Sequence, residues 1–157
     1  MFHLNQDPID WDVSVDLPAK GGVKKTYTFR AFFHKLDQKD CDELQDQHNQ
    51  MLVALRRRLE VLQGYGKEDA TVNEPLPCTY EDLADAVLCG WDNETTPEKM
   101  WVVDTDGEKL EFTEANKARM FRMQGAAAAV FGAWLDSLGR PSEKGAAKAG
   151  GFRAKNS

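Results

Sequence analysis

Asp104, Asp106 and Glu108 stand at alternate positions in Asp-Thr-Asp-Gly-Glu-Lys, the spacing with which carboxylates begin to gather calcium. An EF-hand loop starting at Asp104 needs glycine at its sixth position and glutamate at its twelfth. Those positions hold Lys109 and Ala115, so a solvated turn is the expectation. Cys41 and His48 lie two turns apart on one helical face, but zinc needs two further ligands and no close Cys or His pair supplies them. His48 falls among leucines and reads as a core or core-edge histidine. A thiol–imidazole pair from Cys89 and His3, His34 or His48 stays open as a combination, although no nucleophile motif surrounds Cys89. No phosphate-binding glycine loop, no Gly-x-Ser-x-Gly and no dinucleotide fingerprint occurs. No metal, cofactor or catalytic site is therefore expected, and contact chemistry is what remains. Trp91, Trp101, Phe131 and Trp134 fit a hydrophobic core first. If they form a binding surface instead, Phe131 and Trp134, nearest the basic C-terminal end, are its anchors, with Leu135, Leu138, Phe121 and Trp91 beside them.

The elements that would position these residues are legible from periodicity. Trp11, Val13, Val15 and Leu17 alternate with Asp12, Ser14 and Asp16. After Pro18-Ala19-Lys20-Gly21-Gly22, Tyr27, Phe29, Ala31 and Phe33 alternate with Thr26, Thr28, Arg30, Phe32 and His34. Two period-two runs joined by turn residues predict a β-hairpin. Phe32, on the nominally polar face, implies that this face is partly covered or sticky. Asp37 caps a predicted amphipathic helix with the stripe Cys41, Leu44, His48, Met51, Leu52, Leu55, Leu59 and Leu62. Its acids lie early and Arg56, Arg57 and Arg58 late, in agreement with the helix dipole. A polar linker runs from about residue 64 to 78. Thr79 then opens a capping-box-like Thr-Tyr-Glu-Asp, followed by a short helical stripe through Tyr80, Leu83, Ala84, Val87 and Leu88 to Gly90. Pro97 opens one more turn, and Asp106-Gly107 turns an irregular loop or small hairpin. Thr113 caps a final helix extending to Leu138, thinned in the middle by Gln124-Gly125 and the alanines at 126–129.

The 157 residues suit one domain over 1–139, with a tail over 140–157. The tail carries a charge of +4 and one large apolar side chain, Phe152, while the rest carries −10. Such a tail cannot bury enough apolar surface to offset its ordering entropy and is expected to be disordered. The acidic body argues against nonspecific nucleic-acid binding. No apolar run is long enough to span a membrane, and the acidic N-terminus lacks a signal-peptide pattern. Three widely spaced cysteines suit a reducing compartment better than a disulfide framework. The expected class is α+β: an N-terminal β-hairpin, a mainly helical remainder of about three helices, and the basic tail.

The order of several short motifs adds a resemblance. A hairpin of the form Trp-x-Val-x-Val…Tyr-Thr-Phe-Arg-Ala-Phe-Phe precedes an acidic-start helix. Val87-Leu88-Cys89-Gly90-Trp91 follows, then Leu110-Glu111-Phe112-Thr113-Glu114-Ala115-Asn116, and a last helix ends Ala133-Trp134-Leu135-Asp136-Ser137-Leu138-Gly139. Over most of residues 10–139 this resembles the tail assembly chaperones of long-tailed, lambda-like and HK97-like bacteriophages. The linker and the long tail depart from that pattern. The resemblance implies a non-enzymatic protein of the host cytoplasm that coats the aggregation-prone tape measure protein and is absent from the mature virion. It also implies contact with the tail tube protein through a longer form made by a programmed −1 ribosomal slip, and allows a homo-oligomer. Ala154-Lys155-Asn156 can be encoded by GCA-AAA-AAC, which contains the slippery heptamer A-AAA-AAC, so the tail is compatible with a fusion point and would serve there as a linker. The alternative expectation is a structural tail or head–tail connector subunit of the virion.

Overall fold

The computed structural model describes residues 1, 4, 7–64 and 75–139. The basic tail, including Ala154, Lys155 and Asn156, and the linker residues 65–74 lie outside them, and with them the expectations of disorder and of a fusion point. The described chain is α+β, with a three-stranded antiparallel sheet and four α-helices. It divides into two compact units. One comprises Met1–Lys35 with Ala84–Ser157, the other Leu36–Leu83. The long helix and the segment returning from it form the second of these units.

In the first unit the hairpin forms as the alternation requires. Strand β1 (Ile9–Pro18) pairs with β2 (Lys24–Phe33), with Val13 opposite Phe29 and Val15 opposite Tyr27. The turn is closed by Ala19 N–H donating to the Val23 carbonyl at 2.7 Å, and Gly21 adopts a positive φ of 79°, which glycine reaches without a Cβ clash. One face buries Val13, Val15, Phe29, Ala31 and Phe33. The other is laced by cross-strand polar pairs: Arg30 Nε donates to Asp12 Oδ1 at 2.9 Å, Ser14 meets Thr28 at 2.9 Å, and Thr26 donates to Asp16.

A third strand, β3 (Leu88–Trp91), continues the sheet beyond β2. Here the expected helical stripe is corrected: helix α2 (Tyr80–Val87) stops one residue before Leu88. The reason is a competing partner. Val87 O accepts from His34 N–H at 2.9 Å, and Asp92 N–H donates to Arg30 O at 2.8 Å, so the outer edge of β2 captures the chain. The register slips between Phe32 and Phe33, which face Gly90 and Leu88. A Cβ on Gly90 would stand 3.0 Å from Phe32 Cδ2, so the glycine makes room for the Phe32 ring. This explains an aromatic on the polar face.

The predicted final helix is two. Helix α3 (Glu114–Phe121) is capped by Thr113, whose Oγ1 accepts from Asn116 N–H at 3.1 Å, and α4 is Ala126–Ser137. Between them Gly125 has φ 81°, which no α-helix accommodates. Helix α4 packs on β1. Its buried Ala126, Ala127, Val130, Phe131, Ala133 and Trp134 meet the apolar face of the sheet and make the core.

In the second unit Asp37 caps helix α1 (Gln38–Leu62), its side chain accepting from Asp40 N–H at 2.9 Å. The predicted capping box forms in both directions: Asp82 N–H donates to Thr79 Oγ1 at 3.2 Å and Thr79 N–H to Asp82 Oδ2 at 3.0 Å. Cys78 Sγ donates to Gln47 O, and a His48 ring nitrogen lies 3.1 Å from Tyr80 Oη. These contacts tie the segment entering α2 to the middle of α1.

Candidate docking surface

The residues expected to anchor a partner are placed inside. Phe131 and Trp134 are fully buried, 0 % exposed, with ring centroids 5.3 Å apart. Phe121 is buried as well. Trp91 donates its indole N–H to the Leu110 carbonyl at 2.8 Å and meets the Phe112 ring edge-on. Leu135 and Leu138, at the end of α4, are half-buried. The surface role expected of Phe131, Trp134, Phe121 and Trp91 is thereby corrected. Helix α4 is apolar on nearly all sides, and such a helix is buried rather than presented.

The exposed apolar surface lies on α1 instead. Its stripe divides in two along the helix. Cys41, Leu44 and Met51 are buried, whereas Leu52, Leu55, Leu59 and Leu62 are 39 %, 39 %, 54 % and 80 % exposed. Those four recur at steps of three, four and three, the a and d positions of two heptads. They form one line about 16 Å long at 1.5 Å per residue. Arg56 and Arg58 then fall at the flanking e and g positions, and Arg56 is exposed. An apolar line of this length along a charged helix is the geometry that receives another helix. The stripe was visible in the sequence. Its exposure was not, although a 25-residue helix in so small a chain was a signal that part of it would outrun any core.

The chemical candidates resolve as follows. Among the described residues no group of three or more His, Cys, Asp or Glu side chains is placed to hold a metal ion. Asp104 caps its own turn, its Oδ1 accepting from Asp106 N–H at 2.9 Å and Glu108 N–H at 3.2 Å, with Gly107 at φ 80°. A depression of about 210 Å³ lies beside Trp91, Asn93, Lys109 and Phe112. The Asn93 amide is committed to structure there, donating to Val102 O and Leu110 O and accepting from Val102 N–H. Cys89 Sγ donates to Phe32 O, and burial pushes its thiol up, opposite to the electropositive setting that activates a cysteine. Burial lowers the pKa of His48, favouring the neutral form of the ring beside Tyr80.

Comparison with known protein families, with curated proteins and with solved structures returned no match.

Proposed function

We propose that this chain is a non-catalytic docking protein: a tail assembly chaperone of the long-tailed bacteriophage type, which shields apolar helices of a tape measure protein in the host cytoplasm and is left out of the finished virion. The observation that carries this reading is the open leucine line on α1, Leu52, Leu55, Leu59 and Leu62. Exposed apolar side chains in a continuous line mark a contact surface, and their heptad spacing suits a helical client. The acidic body, with net charge −6 for the chain, would keep a coated client dispersed through like-charge repulsion. One short line per molecule binds weakly, so many copies along one long client would supply the strength.

Co-expression with the tape measure protein tests the reading. The wild-type chain should keep the client soluble and co-purify with it, and the double substitution Leu55→Asp/Leu59→Asp should lose both effects while keeping its circular dichroism spectrum. A client that is equally soluble without the chain would remove the proposal. Mass spectrometry of purified particles separates it from a structural role: a chaperone is missing, whereas a tail or connector subunit is present at fixed copy number.

A further inference from the structure

We infer that the α1 line takes one particular kind of partner: a helix with apolar residues in heptads and acidic residues at the positions flanking its seam. This deepens the chaperone reading and rests on it for the client's biological identity, but not for the chemistry of the site. The argument is charge placement. The first half of α1 carries Asp40, Asp42, Glu43 and Asp46 against one base, Lys39, while the open half carries Arg56, Arg57 and Arg58 against one acid, Glu60. The exposed line is therefore a basic island on an acidic chain. In a two-stranded helical pair the residues beside the seam meet their counterparts across it and set partner choice. Arg56, which is exposed, borders the leucines on one side, so carboxylates along that edge of an incoming helix would meet it.

A second copy of this chain fits worse. Two α1 helices joined along Leu52–Leu62, parallel or antiparallel, bring both arginine triplets to one level. A shifted register would set arginines against the acidic first half, but the apolar side chains there, Cys41, Leu44 and Met51, are already buried. Helix α1 ends at Leu62 and Gly64 takes a positive φ of 78°, so the described line spans two heptads. Such a short seam gives a weak, reversible site.

Two synthetic three-heptad peptides test this against the full chain by fluorescence anisotropy at low salt. Both carry leucine at the seam positions; one has glutamate and the other lysine at the flanks. The glutamate peptide should bind at least tenfold more tightly, and the preference should shrink as salt is raised. The variant Arg56→Glu should erase the preference, and Leu59→Asp should abolish binding with the helix content unchanged. Equal affinity for the two peptides, no binding of the acidic one, or a concentration-dependent dimer that Leu59→Asp dissolves would each overturn the inference. The two readings fail separately. Charge-selective peptide binding without capture of the tape measure protein leaves this site standing and removes the chaperone assignment, and capture without charge selectivity does the reverse.

Discussion

Lys117 Nζ lies 2.6 Å from Asp85 Oδ1, which joins the end of α2 to α3 through an ammonium group that is itself buried. Glu114 completes the cage at 3.1 Å. Burial alone would lower the lysine pKa, but the hydrogen bonds and charges of Asp85 and Glu114 outweigh it and hold the group above its ordinary value. A cation buried with its partners at the rim contributes while both stay charged and costs stability once a partner is removed.

Asp85→Ala should therefore lower unfolding stability by about 1 kcal/mol, since Glu114 remains to pair. Lys117→Met, which keeps the buried stem and drops the charge, should change it by less than about 1 kcal/mol. The folded lysine is favoured in its charged form, so its contribution is complete below the ordinary lysine pKa and lost as pH rises through the higher folded value. Urea titrations of wild type and Asp85→Ala should accordingly converge at strongly alkaline pH.

Trp134→Ala removes the largest fully buried side chain. The expected loss is about 3–5 kcal/mol, from lost transfer energy and a residual cavity. Thermal melting should show it directly. Any failure of this variant to hold a client would then track unfolding, whereas Leu59→Asp on the exposed line should shift the melt little.

His48 sets a dependence at the acid side. Its folded pKa is lowered by burial, so the fold favours the neutral ring. Stability should be complete above the ordinary histidine value and decline as pH falls through it toward the lower folded value. The urea midpoint should drop between pH 7.5 and pH 5, and His48→Gln should flatten that part of the curve.

Gly125→Ala should destabilise by about 1–2 kcal/mol, the cost of placing a Cβ in a left-handed backbone. Nothing lies within 4 Å of the new Cβ, so the cost is conformational rather than steric against neighbours. Were the segment one helix, the same change would stabilise it; a melting curve decides by its sign.

What could be read locally was set locally. Asp37, Thr79 with Asp82, and Thr113 cap helices because a side-chain oxygen three residues upstream reaches an unsatisfied amide, whatever the rest of the chain does. The hairpin and the Asp106-Gly107 turn rest on alternation and on glycine's freedom. Leu88 was not legible in this way. Its helical spacing is genuine, but a strand edge distant in sequence offered hydrogen bonds that a helix end lacks.

By itself, then, the sequence determined the α+β class, the hairpin, the caps, and the existence of one apolar stripe on α1 and another along α4. Only the tertiary structure decided which stripe is hidden. Periodicity says that a face is apolar, not what covers it. Phe131 and Trp134 are sealed because β1 presents a matching apolar face, and Leu52 to Leu62 stand open because α1 extends past the part of its stripe that is buried.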